Sequence, residues 1–232
     1  RELDMKYEAI IFDLDGVITD TAERHYLAWK RIAHRLGIAI DREWNERLKG
    51  ISRTESLELI LAENPTLLLD SEEKAQLLKE KNAHYLELIA EITAADILPG
   101  IPELLEEAKN AGYRMAIASA SKNAPLILER LGLSAMFDAV VDPESLKQNK
   151  PHPEIFEKAA QALGLETQEC IGFEDSLAGI EGIKRAGMPA VAIAIPIFAE
   201  WLPDIEVAAT KDLKLEEIVR KVTTMKERVE EW

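Results

Sequence analysis

The chain has one cysteine, Cys170, so no internal disulfide can form, and its place in the apolar run Cys170-Ile171-Gly172-Phe173 suits a buried, inert thiol in a reducing compartment. No stretch approaches the roughly 18 uninterrupted apolar residues of a membrane span. The N-terminus lacks the basic-then-apolar order of a secretory leader. Positive charge is also short: Lys and Arg number 28 against 43 Asp and Glu, a formal net charge of −15. Nucleic acid or an anionic membrane would be approached against that repulsion, so the expected partner is a small molecule. No internal repeat and no low-complexity segment occur. A soluble, cytoplasmic protein is expected. What is present is ordinary for a globular chain: 232 residues, 47% apolar, enough for one large core or a core with a small second domain. Arg1 to Asp4 precede the first methionine, Met5.

Residues 7–12 are almost continuously apolar and end in Asp13-Leu14-Asp15-Gly16, the pattern of a strand buried on both faces with a turn at its carboxyl end. Short runs at 114–118, 139–141, 169–173 and 190–194 adjoin helical stretches, and 206–209 offers a further edge strand. This alternation predicts an α/β fold: a doubly wound, Rossmann-like parallel-sheet core with helices on both faces. Between Thr21 and Leu98 no strand-like run occurs. There Leu57, Ile60 and Leu61, then Leu77, Leu78, Tyr85 and Leu88, recur at helical spacing, and Leu98-Pro99-Gly100 marks the return to the core. The expected division is a core of 5–20 with 99–232 and an inserted helical domain of 21–98. Leu215, Ile218, Val219, Val222 and Met225 form the stripe of a packing helix, and the mixed charges from Glu72 to Lys81 read as a solvated face.

In an open parallel sheet, ligands sit beyond the carboxyl ends of the strands. Polar clusters fall there four times: Asp13 with Asp15, Ser119 with Ser121, Lys122 and Asn123, then Lys150, then Glu174 with Asp175. Singly, each has a structural reading as a turn, a helix cap or a surface lysine. Together they assemble four carboxylates, an ammonium and several hydroxyls, which suits a hard cation such as Mg²⁺ beside a phosphate. Zinc would recruit cysteine or histidine. Carboxylates alone would repel a phosphate, so a metal and Lys150 are needed as counter-charge. Alternation at the strand end puts Asp13 and Asp15 on one side, one able to attack phosphorus and the other to handle a proton. Gly16 permits the sharp turn behind them.

The segments Asp13-Leu14-Asp15-Gly16-Val17-Ile18-Thr19-Asp20-Thr21, Ser119-Ala120-Ser121-Lys122-Asn123, Lys150-Pro151 and Gly172-Phe173-Glu174-Asp175-Ser176 resemble, in order and spacing, the motifs of the haloacid dehalogenase (HAD) superfamily. The inserted helices resemble its α-helical cap of the first type. The resemblance implies Asp13 as nucleophile, Asp15 as general acid and base, and Ser119 and Lys150 as holders of the transferring phosphoryl group. It implies Mg²⁺ among Asp13, Asp175 and the backbone carbonyl of Asp15, with Glu174 in support. A true dehalogenase is disfavoured, because those members use no metal and lack the second aspartate. The chain departs from the usual pattern at Phe173, commonly a branched aliphatic, and at 194–198, where a glycine-rich loop is usual.

Which acceptor receives the phosphoryl group depends on the cap. Thr21-Ala22-Glu23-Arg24-His25 and Trp29, Leu48-Lys49-Gly50-Ile51-Ser52-Arg53, and Lys81-Asn82 resemble cap elements of the β-phosphoglucomutase subfamily. That implies a monomeric, phosphoprotein isomerase of carbohydrate metabolism acting on small sugar phosphates. Arg53 would grip the distal phosphate, with Ser121, Lys122 and Asn123 helping, while His25 and Lys81 contact the sugar or order Asp15. Gly50 allows close approach of backbone to a ligand. A sugar-phosphate phosphatase of the same core is the competing expectation. A receiver domain is excluded by the helical insertion.

Overall fold

The computed structural model describes residues 7–195 and 202–230, the last three by backbone alone. Residues 1–6, 196–201 and 231–232 lie outside the description, and with them most of the expectation for the loop at 194–198.

Six parallel strands run through the core: β1 (Ala9–Phe12), β2 (Arg114–Ile117), β3 (Ala139–Val140), β4 (Cys170–Glu174), β5 (Ala190–Ile193) and β6 (Ile205–Val207), in the order β3-β2-β1-β4-β5-β6. The all-parallel pairing explains why β1 is apolar at every position. Ile10 and Phe12 enter the core cluster on one face and Ala9 and Ile11 the cluster on the other, all four fully buried. Helices α5 (Ile101–Asn110), α6 (Ala124–Leu131) and α9 (Leu215–Glu230) supply residues to the first cluster, and α7 (Glu154–Ala162) and α8 (Leu177–Arg185) to the second. In α9 the expected stripe is buried at Leu215, Ile218 and Val222, whereas Met225 is exposed.

The edge strand expected at 206–209 is β6, one residue earlier in the chain, and Ile205 rather than Ala209 anchors it in the core. Phe173 is accommodated without disturbance. It lies opposite Phe12 in the β1–β4 register, ring centroids 5.0 Å apart, and Phe137 meets Phe12 edge-on at 6.1 Å. Beyond β5, Ala194 takes φ 54°, the left-handed conformation for which a glycine is better suited.

Between β1 and α5 the chain forms α1 (Ala22–Arg35), α2 (Arg42–Asn45), α3 (Arg53–Ala62) and α4 (Ser71–Leu88). Asp41, Ser52 and Asp70 accept backbone N–H groups at the starts of α2, α3 and α4. Tyr26, Trp29, Ile32, Leu57, Ile60, Leu61 and Leu77 bury one another in a core of their own. The module is rooted where it leaves and returns: the Leu98 N–H donates to the Ile18 carbonyl (2.9 Å) and the Thr19 hydroxyl to the Asp96 carbonyl (2.7 Å).

One reading of α4 needs correction. Glu72 and Glu73 are exposed as expected of a solvated face, but Lys81 at the end of that charged run is only 4% exposed. Two turns of helix carry it from solvent to the inner side of the module.

Candidate active site

The strand order puts β1 between β2 and β4, so the residues that follow these three strands emerge side by side. Asp13, whose N–H still donates to the Phe173 carbonyl of β4, is buried at 4% exposure. Lys150, 2% exposed, reaches it from beneath: its Nζ donates to Asp13 Oδ1 (3.1 Å) and the Ala118 carbonyl (2.9 Å), and lies 3.5 Å from Glu174 Oε1. Burial by itself would depress the Lys150 pKa, but Asp13 and Glu174 carry it above the usual lysine value, so it is a permanent cation.

Asp13, Glu174 and Asp175 offer ligand atoms all within 4.8 Å of one another. Burial first, and then the charge of Asp13, push the Glu174 carboxyl well up and hold Asp175 at about 8. Carboxyls crowded until they retain protons near neutrality are what a divalent ion would relieve, and an all-oxygen donor set suits Mg²⁺. Glu174 is further fixed by the Ser176 hydroxyl, which donates to Oε2 (2.5 Å) while accepting the Gly179 N–H (3.1 Å). Gly16, with φ 79°, makes the turn behind Asp15 and leaves the space that the Asp175 carboxylate fills.

Asp15 faces the helical module. His25 Nε2 lies 3.2 Å from Asp15 Oδ2, and Lys81 Nζ lies 2.9 Å from His25 Nδ1. Burial, then the charge of Lys81, lower the His25 pKa, so the ring is neutral. The network assigns its tautomer: Lys81 donates to Nδ1 and the Nε2–H donates to Asp15. The His25 ring stacks on Tyr85 at 4.0 Å, and the Lys81 ammonium lies over Trp29 (4.9 Å) and Tyr85 (4.7 Å). Burial brings the Lys81 pKa down to about 7. Asp15 Oδ1 is buried without a hydrogen-bond partner among the described residues, an acceptor suited to a hydroxyl.

A cavity of about 400 Å³ opens above these groups, within the roughly 300–1,000 Å³ of small-molecule sites. Of the expected site residues it is lined by Asp13, Asp15, His25, Trp29, Gly50, Ser52, Arg53, Lys81, Ser119, Ala120, Ser121, Lys122, Asn123 and Asp175. Lys150 and Glu174 are buried beneath it. Thr21 is not brought to the cavity wall; it is buried next to Tyr85.

Further contacts among the described residues join module to core around the cavity. Asn123 Nδ2 donates to Asn82 Oδ1 (2.8 Å), Arg53 pairs with Glu144 (3.3 Å), and Gly50 lies against Ser176 so closely that a Cβ there would overlap the hydroxyl. Asn45, Lys49, Glu144 and Asn149 also line the cavity and were not singled out from the sequence. Lys49 lies within the segment that carried the resemblance, so its neighbourhood was legible. Glu144 and Asn149 carried no such signal, being ordinary polar residues in a connecting segment.

A profile described as "Hydrolase: haloacid dehalogenase-like hydrolase" matches residues 7–187. The chain is 48% identical over 212 residues to the beta-phosphoglucomutase of Bacillus subtilis (strain 168), covering 90% of this chain and 92% of that protein. It is 30% identical to a phosphorylated carbohydrates phosphatase of Thermotoga maritima, covering 91% and 96% respectively. Among solved structures, a beta-phosphoglucomutase from Clostridium difficile superimposes with a TM-score of 0.91 at 47% identity, covering 94% of this chain and 98% of that one.

Proposed function

The chain belongs to the haloacid dehalogenase-like hydrolase family, and we infer that within it the chain works as a β-phosphoglucomutase, interconverting β-D-glucose 1-phosphate and glucose 6-phosphate through β-glucose 1,6-bisphosphate and a phosphorylated Asp13. It is a phosphotransferase-type isomerase, and Mg²⁺ is its cofactor. The observation that carries the reading is one cavity with two positions for a phosphate, over Asp13 with Lys150 beneath it and beside Arg53 and Lys122 in the wall. A bisphosphate needs both, whereas simple hydrolysis needs one. The helical segment 21–98 acts as a cap on the core of 5–20 and 99–232.

In the first half-reaction the 6-hydroxyl oxygen of β-glucose 1-phosphate attacks the phosphorus of phospho-Asp13. The P–O bond to Asp13 breaks, and the hydroxyl proton passes to Asp15, whose free Oδ1 is the buried acceptor. After the bisphosphate turns over, Asp13 attacks the 1-phosphate, Asp15 returns the proton to the C1 oxygen, and glucose 6-phosphate leaves. Lys150 holds Asp13 and neutralises the oxygens of the transferring group, aided by Ser119. The Lys81–His25 pair orients Asp15 toward the incoming hydroxyl. Asp13, Asp175 and the Asp15 backbone carbonyl would hold Mg²⁺, with Glu174 in support; the ion supplies charge neutralisation at the phosphoryl oxygens. Cap contacts through Gly50 and Asn82 keep water from the acyl phosphate.

No helix among the described residues is long and apolar enough to cross a membrane. A cytoplasmic monomer acting on small sugar phosphates, with no nucleic-acid partner, completes the reading.

The test is a coupled assay for glucose 6-phosphate from β-glucose 1-phosphate, with Mg²⁺ and a trace of the bisphosphate, run beside phosphate release. Glucose 6-phosphate without comparable free phosphate supports the mutase. Rapid phosphate release with little isomerisation overturns it in favour of a sugar-phosphate phosphatase.

A further inference from the structure

We propose that Glu144 is a competing counter-ion for Arg53, holding the guanidinium by an ion pair that the substrate's non-transferring phosphate must displace, so that Glu144 sets the affinity of the distal-phosphate subsite. The proposal rests on the reading of Arg53 as that phosphate's anchor.

Arg53 opens α3, directly after its capping residue Ser52, and Glu144 lies 91 positions away in the core. Arg53 Nη2 donates to Glu144 Oε1 at 3.3 Å, and both residues line the cavity. Arg53 stands in the cavity wall with Ser52 and Lys81. Glu144 is presented by a stiff turn, Pro143–Ser145. Asp142 Oδ1 accepts the Glu144 N–H (2.9 Å), the Ser145 hydroxyl donates to the Asp142 carbonyl (2.7 Å), and Lys158 donates to the Ser145 carbonyl (2.6 Å). None of these bonds uses the Glu144 carboxylate, whose described partner is Arg53 alone.

A carboxylate and a phosphate compete for one guanidinium because both need its donors and repel each other when placed together. The phosphate wins by charge and by paired hydrogen bonds, but it must first release the carboxylate. The pair is screened by solvent, with side chains 29% and 65% exposed, so the effect on affinity is a modest one, about two- to fivefold.

The experiment is steady-state mutase kinetics on the unaltered chain, Glu144→Gln, Arg53→Gln and the double variant, with Mg²⁺, saturating β-glucose 1,6-bisphosphate and varied β-glucose 1-phosphate. Glu144→Gln is expected to lower KM about two- to fivefold. Arg53→Gln raises KM, and adding Glu144→Gln to it changes nothing further. The Glu144→Gln ratio shrinks toward one at about 0.5 M salt, where exposed charges are screened. A raised KM in Glu144→Gln would show the carboxylate positioning Arg53 rather than competing for it, and an unchanged KM would make it a bystander; either overturns the proposal. So does an equal gain in the Arg53→Gln background, which would be a general effect of charge. If Arg53→Gln leaves KM untouched, Arg53 is not the distal anchor and the proposal falls with it, while mutase turnover in the unaltered chain still judges the assigned reaction separately.

Discussion

Lys81 is the residue whose replacement best separates stability from function. The residue is 4% exposed, and burial brings its pKa from 10.5 to about 7 even though Asp15 partly offsets the effect. Because the folded pKa lies below the unfolded one, the unfolded chain binds the extra proton between these values, and stability rises with pH across that window. Below about pH 7 the penalty is complete, and above the unfolded pKa it vanishes. At 1.36 kcal/mol per pH unit, the fall from 10.5 to about 7 corresponds to about 5 kcal/mol. The contacts of the ammonium with Trp29 and Tyr85 favour the charged form by about 0.5–2 kcal/mol, which leaves about 3–4.5 kcal/mol. Lys81→Met keeps the volume and removes the charge. Urea unfolding of both proteins, with a chelator present, should show the variant gaining about 2–3 kcal/mol on the parent as pH falls from about 9.5 to about 7. The same variant should lose turnover, because His25 Nδ1 loses its donor and Asp15 its orientation, by at most the roughly 10²–10⁴-fold that a general acid–base is worth. A stability difference that is constant with pH, or one that moves against methionine as pH falls, would refute the reasoning.

Asp13→Asn should remove the phosphoenzyme: mass spectrometry after incubation with β-glucose 1,6-bisphosphate should show no phosphorylated protein, and a retained adduct would place the nucleophile elsewhere. Gly50→Ala puts a methyl group onto Ser176 Oγ and an L-residue at φ 74°, a conformation that costs roughly 1–2 kcal/mol, so kcat/KM should fall more than tenfold and the melting temperature by about 2–8 °C; parental kcat/KM would deny the close approach. Mg²⁺ binding should release protons, because Asp175 is held at about 8 and is mostly protonated at neutral pH without metal. Affinity should therefore rise with pH toward about 8, and calorimetric heats should vary with the ionisation enthalpy of the buffer; heats independent of buffer would argue against the raised carboxyl.

The core was legible in the sequence because a strand buried on both faces must be apolar throughout, and residues 9–12, 115–118, 170–173 and 190–194 are. The polar residues that break those runs then mark the carboxyl ends where ligands gather, as Asp13, Ser119 and Glu174 do. Helical periodicity likewise marked the insertion, since Leu57, Ile60 and Leu61 bury one another. Weak signals came from residues whose charge pattern has two readings. Lys81 ends a run of mixed charges that would suit a solvent face, and only the packing of α4 on α1 turns it onto Trp29 and His25.

The sequence alone determined the residue types at the strand ends, the alternation of strands and helices, and the place of the insertion, because these depend on periodicity and on chemistry carried by neighbours in the chain. Tertiary structure decided the partners. Lys150 meets Asp13 from 137 positions away, Lys81 meets His25 from 56, and Glu144 meets Arg53 from 91. Such pairings follow from which strands lie side by side and how the helices return over them, and local sequence does not encode that order. Thr21 shows the same limit from the other side: adjacent in sequence to residues of the cavity wall, it is turned by the first residues of α1 into the buried neighbourhood of Tyr85.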